Sequence, residues 1–249
     1  ERVVRLKKEL KSLALRRNTL RSKRKEQSLP TVVFVGYTSA GKSTLFNALT
    51  VSHQAISRGL FTTLDPLSRT VFLPNHQKIV VSDTVGFIRQ LPHHLIEAFK
   101  ATLEEVVEAD LLVHVLDVST PKTKDFYYAV QKVLDQLGAG EKNTVLALNK
   151  IDLLPSPNQL ERFLRDYPDG IGISALKRIN LDGLLNKIEE KLKGYVQDVT
   201  LTLPLEKMDV VDFIYRQGRV KDISYDGPWI HLTASLPVIA ACKLKAYIR

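Results

Sequence analysis

Gly36-Tyr37-Thr38-Ser39-Ala40-Gly41-Lys42-Ser43 decides the fold of this 249-residue chain. The stretch has the spacing of a phosphate loop. It follows the β-branched run Thr31-Val32-Val33-Phe34-Val35 and leads into Thr44-Leu45-Phe46-Asn47-Ala48-Leu49, which reads as a helix. The glycines let backbone N–H groups face an anion, and the helix start adds its positive end. Lys42 is expected to reach the β- and γ-phosphates of a nucleotide and Ser43 to ligate Mg2+, with Gly36, Tyr37, Thr38, Ser39, Ala40, Gly41 and Thr44 completing the cradle.

Outward from this loop, short apolar runs alternate with amphipathic stretches between residue 31 and about residue 194. That is the pattern of an α/β fold, a mostly parallel sheet with helices on both faces. Strands are predicted over 31–35, 78–82, 111–117, 144–148 and 170–173, with an antiparallel strand near 70–73; helices follow Gly41, Pro92, Pro121, Pro157 and Asn180. After Gly194 the rhythm changes to a strand (199–203), a helix (205–217), two strands around Tyr225-Asp226-Gly227-Pro228 and a helix from about Pro237. Three segments result: a basic helix over 1–29, a P-loop NTPase domain over 30–195, and a small α+β domain over 196–249, long enough to close a core of its own.

Composition narrows the class. Hydrophobic residues make up 44% and charged residues 25%, ordinary for a globular chain, and no apolar run is long enough to span a bilayer. One cysteine, Cys242, forms no internal disulfide, so a cytoplasmic location is expected. The net charge of +9 is uneven: residues 1–27 hold 11 Lys/Arg against three acids, and the rest is nearly neutral. In that segment Val3, Leu6, Leu10, Leu13 and Leu20 form a helical stripe interrupted by Arg17. Its basic face reads equally as the solvated side of a helical hairpin and as a nucleic-acid contact. The only methionine is Met208, so residue 1 is not a translation start, and an excised fragment is expected.

Two further motifs refine the ligand. Asp83-Thr84-Val85-Gly86 ends the run Ile79-Val80-Val81, which sets a carboxylate at a strand's C-terminal edge, where open α/β sheets bind ligands. Asp83 would hold Mg2+ through a water, and Gly86 can bring its N–H against the γ-phosphate. Asn149-Lys150-Ile151-Asp152 closes another strand and chooses the base. A carboxylate at Asp152 can accept from guanine N1–H and N2–H2, whereas adenine offers an acceptor at N1 and no donor at position 2. GTP is therefore expected over ATP. Ser174-Ala175-Leu176 suits backbone contact with the guanine oxygen. Between the phosphate loop and Asp83 lies Leu60-Phe61-Thr62-Thr63-Leu64-Asp65, where Thr63, chosen over Thr62, would complete the Mg2+ shell and order its loop on the γ-phosphate.

The order and wording of these motifs closely resemble the HflX family of translational GTPases. The resemblance spans nearly the whole chain and is most specific in GYTSAGKSTLFNAL (36–49), LFTTLDPLSR (60–69), DTVGFIRQLPHHLIEAFKATLEE (83–105) and NKID (149–152). It implies a GTPase with Lys42, Thr63 and Gly86 at its catalytic centre and Ser43, Thr63 and Asp83 around Mg2+. It also implies association with the large ribosomal subunit and its rRNA, ribosome-stimulated hydrolysis, and splitting or rescue of stalled ribosomes. Such proteins carry a further N-terminal domain, whose hairpin would end in residues 1–27; a monomer is expected.

Phe87 stands where many small GTPases carry a water-orienting glutamine, which implies slow hydrolysis until a partner acts. Ser39 replaces the asparagine linked in related GTPases to a bound K+, which argues against potassium stimulation. Other candidates read as ordinary structure. His114 is expected to be a hydrogen-bonded core residue. His93 and His94 lack the neighbours of a metal site, and Arg58, Arg69 and Arg89 read as exposed basic side chains near the loops.

Overall fold

The computed structural model describes residues 29–50, 67–75, 77–84, 86 and 103–248. The basic helix lies outside them, as do Arg58, Phe61, Thr62, Thr63, Leu64, Asp65, Val85, Phe87, Arg89, His93 and His94. The described chain falls into two compact units, Pro30–Lys193 and the residues from Gly194 onward.

The first unit is built on a six-stranded sheet. Strands β1 (Thr31–Val35), β2 (Leu67–Phe72), β3 (Lys78–Asp83), β4 (Leu111–Asp117), β5 (Thr144–Asn149) and β6 (Gly170–Ile173) lie in the order β2-β3-β1-β4-β5-β6. All neighbours are parallel except β2, which runs antiparallel to β3 at the edge. Parallel strands covered on both faces carry continuous apolar runs, and β4 is buried over its first six residues. The helices are α1 (Lys42–Thr50), α2 (Thr123–Gln136), α3 (Pro157–Asp166) and α4 (Leu181–Lys191); residues 103–108 are also helical.

Alternation along the strands sorts these helices. Val33 and Val35 of β1 and Leu112 of β4 pack against Val106 and against Val130 and Leu134 of α2. Phe34 points the other way and meets Phe46 of α1 edge to face. On β6, Gly172 faces Leu160 of α3 while Ile171 approaches α4 at Gly183. Thus α1 and α4 cover one face, and α2, α3 and residues 103–108 the other. Each fully buried Leu, Ile or Phe contributes about 1.5–3 kcal/mol over its exposed state, so the two-sided burial is what holds the strand order.

The second unit is a three-stranded antiparallel sheet, β7 (Val196–Pro204), β8 (Arg219–Asp226) and β9 (Trp229–Pro237), in the order β7-β9-β8, with helices α5 (Met208–Gln217) and α6 (Val238–Lys243). The period of two in β9 turns Ile230, Leu232, Ala234 and Leu236 into one core with Val211 and Ile214 of α5 and Ala241 of α6. The turn between β8 and β9 carries Gly227 at φ +55, and Trp229 just beyond it is half-exposed. Helix α5 begins at Met208 rather than at Leu205, because Leu205 N–H donates to Pro228 O and the chain is still turning there. No helix among the described residues is long and apolar enough to cross a membrane.

Candidate functional site

Because the sheet is parallel, β1, β3, β4, β5 and β6 all release their C-terminal ends at one rim. That places residues 36–41, Asp83, Asp117, Asn149 and Ser174 along one edge, the position at which open α/β sheets bind ligands.

Loop 36–41 wraps the start of α1. Leu45 N–H donates to Gly41 O at 2.9 Å, which closes the first turn of α1 directly behind the loop and sets the positive end of the helix at the rim. Gly41 has φ +99, and a Cβ there would lie 2.3 Å from Asn149 Nδ2. Lys42 is almost fully buried, and its ammonium donates to Gly36 O and Tyr37 O, both at 3.1 Å. Desolvation pulls its pKa down to about 8, with the Asp83 carboxylate pulling it back up. A lysine held this way gains from any phosphate that re-supplies a counter-charge. Tyr37 stacks on Phe126 of α2 with centroids 4.1 Å apart, which seats the loop on that helix.

Ser43 Oγ donates to Asp83 Oδ2 at 2.6 Å. A hydroxyl and a carboxylate this close are a hard oxygen pair, the donor chemistry Mg2+ prefers, so these two residues fit the expected cation. Asp83 is fully buried, and Thr84 Oγ1 beside it donates to Phe34 O at 2.6 Å, fixing the end of β3 to β1. Gly86 follows at close quarters: a Cβ on it would lie 2.8 Å from Thr38 Cα and 3.0 Å from Lys42 Nζ. Its backbone therefore reaches the loop that would carry phosphate.

Asn149 ties the two ends of the rim together. Its Nδ2 donates to Ala40 O at 2.8 Å, and its Oδ1 accepts from Ala175 N–H at 3.0 Å. Lys150 takes the left-handed conformation at φ 70, and residues Ile151–Leu153 form a 3-10 turn. Within that turn Ile151 packs on the Leu116 and Leu148 cluster, so its side chain belongs to the core. Asp152 Oδ1 is buried and, among the described residues, accepts no hydrogen bond. A buried carboxylate oxygen left so is costly unless a donor reaches it, which is what a guanine edge supplies. Leu176 is exposed at the tip of the Ser174–Ile179 turn.

Two findings differ from expectation or add to it. His114 is buried as expected and stacks on Tyr127 at 5.3 Å; among the described residues its Nε2 has no hydrogen-bond partner. Burial, with the Lys42 charge adding to it, pushes its pKa down to about 3. Asp117, not picked out from the sequence, binds Lys150 Nζ at 2.6 Å from β4. The edge-of-strand rule that selected Asp83 applies equally to Asp117 and was the available signal.

Known proteins match this arrangement. The sequence model of the 50S ribosome-binding GTPase family fits residues 31–150, and that of the HflX C-terminal domain fits residues 163–237. A GTPase HflX from Caldanaerobacter subterraneus subsp. tengcongensis is 42% identical over 251 residues, covering 100% of this chain and 56% of the relative. Among solved structures, a GTP-binding protein of Sulfolobus solfataricus in complex with GDP aligns at a TM-score of 0.53 and 28% identity, covering 77% of this chain and 61% of that one. Era in complex with MgGDPNP and nucleotides 1506-1542 of 16S ribosomal RNA aligns at 0.54 and 25% identity, covering 66% and 56%. The chain spans about half the length of the curated relatives it matches.

Proposed function

We propose, from the premise that this chain belongs to the HflX family of GTPases, that it binds Mg·GTP at the rim and hydrolyses it to GDP and phosphate. The observation that carries the reading is the Asn149 clasp: one side chain joins the phosphate loop to the Ala175 turn, while Asp152 Oδ1 has no partner among the described residues.

In this reading the loop amides from Gly36 to Thr44 and the Lys42 ammonium receive the phosphates. As water attacks in line, charge spreads over the γ-phosphoryl oxygens, and Lys42 stabilises it by leaving its carbonyl partners for them. Ser43 and Asp83 would hold Mg2+, with Thr63 completing the shell, and the cation would supply positive charge to offset the charge developing on the phosphates. Gly86 and Thr63 report the γ-phosphate and release their loops once it has gone. Ala175 N–H, held by Asn149 Oδ1, keeps the Ser174–Leu176 turn at the base end of the rim. Phe87 cannot hydrogen-bond the attacking water, so intrinsic turnover is slow and a partner accelerates it.

The partner we propose is the large ribosomal subunit and its rRNA, with splitting or rescue of stalled ribosomes as the outcome. The description of the matched family and the basic segment 1–27 support this. Cosedimentation with separated subunits under GDP and a non-hydrolysable GTP analogue tests it, and equal pelleting in both states would refute nucleotide control. A second reading, a ribosome-assembly GTPase whose C-terminal domain clamps RNA, is favoured by the Era likeness but lacks a GXXG clamp after residue 194.

The base assignment is tested by Asp152→Asn. GTP affinity should fall by about a hundredfold or more, with a relative gain for xanthosine triphosphate, whose position-2 carbonyl accepts from the new amide. Unchanged GTP binding removes the assignment.

A further inference from the structure

Lys150 and Asp152 stand two residues apart, and a lysine's four-carbon stem allows its ammonium to fold back onto a carboxylate that near. Such an internal pair would occupy the very oxygen that guanine needs. The structure avoids it. Lys150 leaves the end of β5 in the left-handed conformation, and its Nζ lies 2.6 Å from Asp117 Oδ2 at the end of β4. Asp117 and Asn149, the residue before Lys150, are register partners across β4 and β5, so the sheet itself sets this distance.

The Asp117 carboxylate is held ready by its other oxygen. Oδ1 accepts from Ser119 N–H at 2.9 Å and from Ser119 Oγ at 2.6 Å. The loop carrying Ser119 is fixed in turn by buried Thr123, whose hydroxyl shares its one proton between Thr120 O at 2.6 Å and Asp117 O at 2.9 Å. The ion pair is only partly exposed, with side-chain exposures of 29% for Lys150 and 16% for Asp117, so it is less screened than a surface pair. Asp152 Oδ1 meanwhile remains buried and without a partner among the described residues.

We infer that Asp117 is a specificity-determining positioning residue: it sequesters the Lys150 ammonium so that Asp152 stays open to a guanine edge. The inference rests on the reading that Asp152 takes guanine. Removing the Asp117 charge frees the ammonium, which then competes with the base for Asp152.

A double-mutant cycle read by calorimetry with GTP and inosine triphosphate tests this. Inosine keeps N1–H but lacks the N2 amine, so the ratio of the two affinities reports how fully Asp152 engages the base. Asp117→Asn, which keeps the shape, should weaken GTP about tenfold and compress the GTP-to-inosine-triphosphate ratio severalfold. In a Lys150→Met background, where no ammonium remains, the same Asp117→Asn change should cost less than about twofold and leave the ratio as it was. Equal losses in both backgrounds, or a GTP loss with an unchanged ratio, would overturn the inference and make Asp117 a structural residue. If the parent chain itself does not prefer GTP to ATP, the guanine reading fails instead, and that outcome is visible before any variant is made.

Discussion

The two ends of the rim are prepared for a ligand in opposite ways. On the phosphate side the key groups are already engaged with the protein: Lys42 with two loop carbonyls, and Ser43 with Asp83. On the proposed base side Asn149 and Lys150 are spent on the protein, and Asp152 Oδ1 has no partner among the described residues. Phosphate binding is therefore an exchange of partners, whose net yield is small per hydrogen bond. In the proposed reading, a guanine edge would supply a donor to an oxygen that has none among the described residues, and a wrong base would leave it so. Affinity should thus be sensitive to charge and pH at one end and to identity at the other.

The sharpest way to break this contrast is to cut the link between the two ends. Asn149→Ala removes the donor to Ala40 O and the acceptor for Ala175 N–H, both buried. Stability should fall by about 2–4 kcal/mol in a denaturant titration, and GTP affinity by about a hundredfold. A variant that loses nucleotide but melts like the parent would mean that the clasp serves only the ligand.

The next effect belongs to the phosphate side alone. With the Lys42 pKa near 8 in the free protein, the ammonium is present below that pH and must be regained on binding above it. From this lysine alone, GTP affinity should hold below pH 8 and fall above it, toward about tenfold per pH unit. Stability without nucleotide should move the other way. The unfolded chain binds the proton more tightly between 8 and 10.5, so the cost this lysine imposes on the fold is full below 8 and shrinks as pH rises through that window. Calorimetry in buffers of different ionisation enthalpy reads the proton uptake directly, and a flat profile would place the lysine charge elsewhere.

The smallest effect lies beneath the rim. His114 is neutral in the fold, with a pKa of about 3 against 6.5 ordinarily, so the unfolded chain binds the extra proton between those values. Its cost to stability grows as pH falls from 6.5 toward 3 and is absent at higher pH. His114→Leu should leave stability at pH 7 within about 1 kcal/mol, because losing the Tyr127 stack and losing an unsatisfied Nε2 offset each other. The acid unfolding midpoint should drop.

Much of this was readable beforehand where polarity and period agree. The apolar runs mark β1, β4 and β6 to the residue. Strands β3 and β5 each extend one residue further, to Asp83 and Asn149, because these polar residues continue the ladder against Phe34 and Asp117. Hydrophobic pattern does not register a polar residue buried by its hydrogen bonds, and the Asn149 clasp is of that kind. Asp117 escaped for a related reason: an aspartate after an apolar strand looks like a turn residue until its partner across the sheet is known. That His114 Nε2 has no partner among the described residues was equally hidden, since burial can be read from a run of valines and leucines but satisfaction cannot.

Trp229 has a use beyond its place in the sheet. It is the one tryptophan in the chain, and it sits at the start of β9 in the second unit, half in solvent. Indole emission excited beyond the tyrosine band thus reports on that unit by itself, while circular dichroism records both. Heating the protein under the two probes gives coincident curves if the units melt together and displaced ones if they melt apart, with no label attached.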